Sequence, residues 1–363
     1  MKFIDGYRDH DLIREIVRRI ENSATGEYTF LEVCGGHTAA IRRFGIVSIL
    51  PRNIRLISGP GCPVCVTGKD FIDTLAAYSE LDDVIITAFG DLLRIPGTGG
   101  RSLEKVKALG SDVRVVFSCL DALETAKRNR NKKVIFAGIG FETTAPGTAV
   151  AIKKAKKENL NNFLVLSAHK VMPPAMEAIL REGTMLNGFI CPGHVATITG
   201  ADAFDFIPAR YNTGCVVTGF EPADILLSIL LLIHQVNRGI PAVEIQYSRA
   251  VTTSGNMTAR KIMNEVFEPC DAEWRGLGII PVSGLCIRKR YASCDAKVMI
   301  PVEVKKEAED ENCICGDILK GISEPADCSL FAKTCTPLNP AGACMVSEEG
   351  SCNAWYKYRV ANE

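Results

Sequence analysis

The segment Gly59-Pro60-Gly61-Cys62-Pro63-Val64-Cys65 carries two thiols separated by two residues, between an expected strand (55–58) and an expected helix near Asp70. Thiols at this spacing close a disulfide. A helix N-terminus close behind them stabilises a thiolate and draws its pKa toward about 7. The flanking glycines let the backbone approach a partner closely. A redox pair is the first reading. Half of a zinc site is the second and needs two further ligands; two packed core thiols are the third. Cys34 ends another expected strand (28–33), just before Gly35, Gly36 and His37. Parallel α/β sheets bind ligands at the carboxyl ends of their strands. If the two strands are neighbours, Cys34, His37, Cys62 and Cys65 share one crevice. A thiolate beside an imidazole suits iron, zinc or copper. The plainer reading is a buried thiol beside a capping Thr38.

Further along, Gly138-Ile139-Gly140-Phe141-Glu142-Thr143-Thr144 begins like a dinucleotide fingerprint but has Thr143 at the third glycine position, so nicotinamide binding has weak support. Gly68-Lys69-Asp70 is not a phosphate-binding loop: Pro63 and Asp70 stand where glycine and Ser/Thr belong. Gly140, Phe141, Glu142, Thr143 and Thr144 remain candidates for contact with a ligand or partner. So do His169 and His194, each also open to a structural role.

The last 51 residues hold six cysteines: Cys313, Cys315, Cys328, Cys335, Cys344 and Cys352. Zinc sites favour paired close knuckles. Wide gaps and surplus thiols favour a [4Fe–4S] cluster, which four thiolates hold.

Short β-rich runs alternate with helix-like stretches and must position these residues. Strands are expected at 28–33, 54–57, 84–88, 113–117, 134–137, 163–166, 188–190 and 214–217. Helices are expected at 70–78, 120–128, 146–157, 174–181 and 221–238. This rhythm predicts parallel sheets covered by helices. The expected fold is α/β: two similar parallel-sheet domains plus a small cysteine-rich iron–sulfur domain. The expected division is 1–24, an N-terminal helix packing with the C-terminal domain; 25–129, domain I; 130–240, domain II; and 241–363, the iron–sulfur domain. The basic 127–133 stretch is the expected seam. The strand-to-helix turns at 33–38 and 139–144 echo each other, as a duplication would. The charged run 304–311 reads as a solvated helix or linker.

Composition narrows the function. Lys plus Arg and Asp plus Glu both total 42, leaving no formal net charge, so the footprint of a generic nucleic-acid binder is missing. The most apolar stretch, 225–236, is shorter than the ~20 residues needed to span a bilayer, and the first twenty residues carry charges throughout. A cytoplasmic location without membrane attachment is expected. Fifteen cysteines in a reducing compartment indicate metal or redox chemistry rather than structural disulfides. Isolated Cys119, Cys215 and Cys270 are expected as small buried residues.

Taken together, Cys34-Gly35-Gly36-His37-Thr38, the Cys62/Cys65 segment, Gly140-Phe141-Glu142-Thr143-Thr144, Pro192-Gly193-His194-Val195 and the tail from Cys335-Thr336-Pro337 to Cys352 resemble the signature blocks of the HypD family of hydrogenase maturation factors. The resemblance covers nearly the whole chain, in order. It implies a scaffold for assembling the Fe(CN)2CO unit of [NiFe] hydrogenases, acting with the small chaperone HypC and receiving cyanide from HypE. It implies two α/β domains and a [4Fe–4S] domain. It places Fe(II), transiently carrying CN and CO, on Cys34, and a redox dithiol on Cys62 and Cys65. His37 would orient Cys34 or the incoming ligand. The family's cluster spacing selects Cys313, Cys328, Cys335 and Cys352, with Cys315 the rival of Cys313 and Cys344 unligated. Glu348 stands where the family often has Ser. Such a protein is a maturation scaffold with redox activity rather than a turnover enzyme. Two alternatives are an iron–sulfur-dependent thiol:disulfide reductase and a zinc-stabilised interaction module.

Overall fold

The computed structural model describes residues 4–304 and 312–358. All eight expected strands are present: β1 (Tyr28–Glu32), β2 (Ile54–Ser58), β3 (Val84–Ala88), β4 (Val113–Val115), β5 (Lys133–Gly138), β6 (Phe163–Ser167), β7 (Gly188–Pro192) and β8 (Gly214–Thr218). Several have continuous apolar centres, such as Val84-Ile85-Ile86 and Phe163-Leu164-Val165-Leu166, all buried. Such runs suit strands covered by helices on both faces. Three later strands follow: β9 (Val243–Ile245), β10 (Phe267–Trp274) and β11 (Gly278–Ile287).

Sheet membership does not follow chain halves. One parallel sheet has the order β2-β1-β7-β8-β9 and the other β4-β3-β5-β6, while β10 and β11 form an antiparallel hairpin. Numbered within its own sheet, each unit reads second-first-third-fourth, the doubly wound order with a switch point between the first and third strands. The two α/β units are therefore similar, but the second is inserted between β2 and β7 of the first. The expected boundary near 129 is wrong: it falls between the helix Cys119–Arg128 and β5, inside the second unit. A βα unit repeats the same pattern whichever sheet its next strand joins. The sequence echo also pairs unlike positions. Cys34 follows the first strand of its sheet, and Gly140 to Thr144 follow the third.

The helix His10–Ser23 starts on an Asp9 cap that accepts from the N–H groups of Asp11 and Leu12. It packs against the helix Pro222–Arg238 rather than the C-terminal region, with Ile16 and Ile20 buried beside Ile225, Ile229 and Ile233. Its partner is the most apolar helix of the chain, so it offers the nearest surface for that stripe. The expected C-terminal domain also begins too early. β9 extends the first sheet. The helix Met257–Val266 and the β10–β11 hairpin pack on the second unit, where Phe267 and Leu285 join Phe136 and Ile152. Only 312–358 forms the cysteine-rich region; the run expected to be a solvated linker lies outside the described residues at 305–311. Among the described residues no helix is long and apolar enough to cross a membrane.

Candidate functional site

The carboxyl ends of β2, β1, β7 and β8 lie side by side in the first sheet and carry, in turn, the Cys62/Cys65 loop, Cys34, His194 and Phe220. Cys34 caps the helix Gly35–Arg43. The Cys62 loop lies directly on it: the Gly35 N–H donates to Gly61 O at 3.0 Å. A Cβ on Gly61 would sit 2.2 Å from Cys34 N and 2.4 Å from its Cα, so only glycine permits this approach. Burial pushes the Cys34 thiol well up and nearby Glu349 adds to it, although the N–H groups of Gly36 and His37 point at the sulfur and oppose the shift.

Below Cys34 sits Glu32, 1 % exposed at the end of β1. Its carboxyl accepts from the Cys34 N–H at 3.1 Å and from the Thr38 hydroxyl. Burial raises it to about 8, so it holds a proton at neutral pH beneath the thiol. Sequence reasoning missed Glu32; the signal was a lone acid in an otherwise apolar strand. It also missed Glu349, whose backbone and side chain would meet any Cβ placed on Gly35.

His37 does not hydrogen-bond to Cys34 through its ring. Nε2–H donates to Thr218 O (3.2 Å) and Gly219 O (3.0 Å), and Nδ1 is buried without a hydrogen-bond partner. Burial lowers its pKa to about 4, so the ring is neutral. It stacks on Phe220 (4.5 Å), whose ring also stacks on the exposed His194 (3.9 Å). The layered rings tie the β8 end to the helix that Cys34 starts. His169 is a core histidine, contacting Thr148 and Ser167 hydroxyls, with burial lowering it to about 3.

The candidate contact residues at the end of β5 are largely used internally. Gly140 has φ +133°, and a Cβ there would run into the Thr144 side chain. Phe141 stacks on Trp274 (5.8 Å). Glu142 accepts from the Met172 N–H (2.9 Å) at the start of the helix Met172–Arg181, and burial raises it to about 7. Thr144 bonds back to Phe141 O, which leaves Thr143 exposed.

Cys62 and Cys65 occupy a turn four residues ahead of the helix Lys69–Ser79, too far for its N-terminus to act on them. The expected lowered thiol pKa is not found at Cys65, which burial pushes well up. The Cys65 N–H donates to the Cys62 sulfur at 3.3 Å. The Cys65 sulfur in turn contacts both Cys62 and Cys344. Cys344 is the thiol that is lowered, to about 7, through contacts with Cys315 and then Cys65. Cys315 also touches Cys313. The sulfurs thus form a continuous series: Cys62, Cys65, Cys344, Cys315, Cys313. The tail reaches this position by docking on the first unit. Gly321 packs on Ile57 of β2, where a Cβ would fall 2.3 Å from its side chain, and Arg42 lies 3.6 Å over the Trp355 ring.

All six tail cysteines line one pocket, with Ile318, Leu330, Phe331, Gly342 and Met345. The Ala341 N–H donates to the Cys335 sulfur at 3.3 Å, and a Cβ on Gly342 would come within 2.8 Å of the Cys313 sulfur. Among the described residues no three His, Cys, Asp or Glu side chains converge as a single-ion site. A ring of thiols around an apolar pocket, with N–H groups aimed at sulfur, fits an iron–sulfur cluster. Cys119 and Cys215 are buried as expected. Cys270 is not an isolated buried thiol: it is disulfide-bonded to Cys286 across the β10–β11 hairpin, where the two are diagonal neighbours, Cys270 opposite Gly284 and Cys286 opposite Glu268.

The fold and site define a class: paired doubly wound α/β units that gather buried thiols against a cysteine-ringed tail. A family model, HypD, described as "Hydrogenase formation hypA family", matches residues 11–359. Hydrogenase maturation factor HypD2 of Bradyrhizobium diazoefficiens is 44 % identical over 368 residues, covering 99 % of this chain and 97 % of that protein. Hydrogenase maturation factor HypD of Azotobacter vinelandii is 44 % identical over 367 residues, with the same coverage. The HypD of Cupriavidus necator is 43 % identical over 369 residues, covering 99 % and 97 %. The chain belongs to the HypD family of hydrogenase maturation factors.

Proposed function

We propose that the chain is a redox-competent scaffold on which the Fe(CN)2CO unit is assembled, together with a HypC-like chaperone and a HypE-like cyanide carrier. The observation that carries this reading is the series of sulfur contacts from Cys62 to Cys313. Cys34, with a thiolate of the HypC-like partner, holds the cargo Fe(II); soft donors suit low-valent iron with CO and cyanide ligands. Glu32 fixes the Cys34 backbone from below, and the His37–Phe220–His194 stack fixes the helix above it.

Releasing cyanide from a carrier thiocyanate breaks an S–C bond and requires two electrons. The Cys62/Cys65 dithiol gives two electrons and two protons as its S–S bond forms. One proton leaves on the carrier thiol and the other with cyanide. Cys313, Cys328, Cys335 and Cys352 would hold a [4Fe–4S] cluster, with Cys344 between Cys65 and Cys315. Electrons from such a centre would come one at a time, so the Cys62/Cys65 disulfide would need two of them to return to the dithiol.

Anaerobically purified protein is expected to be brown, with about four iron and four sulfide per chain. Cys328→Ala should bleach it. Cys34→Ala should keep the colour but lose the additional iron retained in complex with a HypC-like partner. A colourless zinc protein would refute the tail assignment, and full iron retention by Cys34→Ala would remove Cys34 from its role.

A further inference from the structure

The disulfide between Cys270 and Cys286 is not sealed in the core. Cys270 is half-buried and Cys286 is exposed. Thiolates reach an exposed disulfide, and exposure marks the labile bonds rather than the structural ones. A cavity of about 150 Å3 adjoins this bond, with Cys270 and Cys286 both in its wall. Gly284 keeps the space clear. It pairs with Cys270 on one side and bridges to Lys170 on the other, and a Cβ there would fall 2.8 Å from Ala272 Cβ and 3.2 Å from the Cys270 sulfur. The wall carries both signs of charge: Lys170 and Lys297 on one hand, Asp70, Asp271 and Glu273 on the other. Lys170 is buried and its ammonium donates to Glu273 O at 2.7 Å, whereas Lys297 is exposed. The bonded pair crosslinks the hairpin whose tip touches the dithiol loop and the tail. There the Arg275 N–H donates to Val66 O at 3.0 Å, next to Cys65. Gly276 (φ +79°) lies against Gly316, where a Cβ would be 2.6 Å from Gly316 Cα.

We propose that Cys286 is a site of S-thiolation by a zwitterionic thiol of amino-acid size, which enters this cavity and opens the Cys270–Cys286 bond. The thiolate of the incoming molecule attacks the exposed Cys286 sulfur. An S–S bond forms between them, the Cys270–Cys286 bond breaks, and Cys270 leaves as a thiolate that takes up a proton. A second thiolate of the same kind attacks the mixed disulfide and departs as the symmetrical disulfide, and Cys286 is released and protonated. Two electrons pass from the two small thiols to the protein pair. The carboxylates of the wall receive the incoming ammonium and the lysines receive its carboxylate, an attraction that an uncharged thiol lacks. Opening the bond removes a covalent tie from the element that touches both the Cys62/Cys65 loop and the tail.

The test uses the full chain, anaerobic, with the pair first closed by cystine and the cystine then removed. Parent, Lys297→Gln and Lys261→Gln are incubated with L-cysteine or with 2-mercaptoethanol at equal thiolate concentration. Lys261 is the control: it is exposed on the helix Met257–Val266 and lies outside the cavity. Acid quenching, alkylation and peptide mass spectrometry follow each cysteine separately, so the Cys62/Cys65 pair does not enter the result. Circular dichroism reports whether the chain stays folded. In the folded parent, cysteine should open the pair about threefold faster than 2-mercaptoethanol, the gain that an exposed ion pair gives. The mixed disulfide should sit on Cys286, with a free thiol at Cys270. Lys297→Gln should lose the preference for cysteine and Lys261→Gln should keep it. A pair that does not close, or that opens only on unfolding, overturns the proposal. So does an adduct mainly on Cys270, equal rates with the two thiols in the parent, or a preference that survives in Lys297→Gln or is lost in Lys261→Gln.

Discussion

Replacing Glu32 by Gln should make the protein more stable at neutral and alkaline pH. Burial raises this carboxyl from the ordinary 4.5 to about 8. Below about pH 4.5 it is protonated in both folded and unfolded chains and contributes nothing to the balance. Between about 4.5 and 8 the unfolded chain releases the proton and the native state keeps it, so stability falls as pH rises. Above 8 both forms are ionised and the penalty levels off at roughly 5 kcal/mol, at about 1.4 kcal/mol per pH unit. Gln has the shape of the protonated acid. Its amide oxygen can accept from the Cys34 N–H, and its amide group can donate to Thr38 after the hydroxyl turns. That exchange should cost about 1 kcal/mol. Denaturant unfolding of parent and Glu32→Gln over pH 4–9 reads the difference directly and cancels the other titrating groups. The difference should climb with pH up to about 8 in favour of the variant. A flat difference would show that Glu32 ionises normally and does not hold a proton beneath Cys34.

Gly61→Ala should separate the Cys62 loop from Cys34, because the new Cβ meets backbone atoms that cannot turn aside. A loss of at least ~1–3 kcal/mol is expected, and unchanged thermal unfolding would refute the close approach. Cys270→Ser should cost about 3 kcal/mol in oxidised protein, given a disulfide spanning 16 residues. The same substitution should have little effect in fully reduced protein; equal losses in both would show that the pair is not bonded.

The strands were legible because most carry short runs of buried apolar residues, as in β3 and β6. Their grouping was not, because the βα pattern contains no record of which sheet comes next. The hairpin was hidden by Glu268, Pro269, Asp271 and Glu273, which face outward on β10 and break the apolar run. At the site, residue types and spacing marked Cys34, Cys62, Cys65 and the tail cysteines. The shared crevice of Cys34, Cys62 and Cys65 followed from their strands being neighbours, as β1 and β2 are, but the close contacts at glycines 61, 276, 316 and 321 that seat the loop and the tail were unreadable. Cys344 shows the limit well. The resemblance to the family's cluster spacing leaves it spare, and only packing places it between Cys65 and Cys315. His37 shows the converse: its position beside Cys34 in sequence suggested a direct role, whereas its ring is committed to the end of β8.

The central claim is that the Cys62/Cys65 pair is supplied with electrons through the tail. Protein with this pair oxidised can be photoreduced anaerobically, then alkylated and mapped by mass spectrometry. The parent should gain two alkylated thiols, at Cys62 and Cys65, and Cys328→Ala should gain neither. Recovery at the same rate in both proteins, or a pair that stays oxidised in the parent, would contradict it.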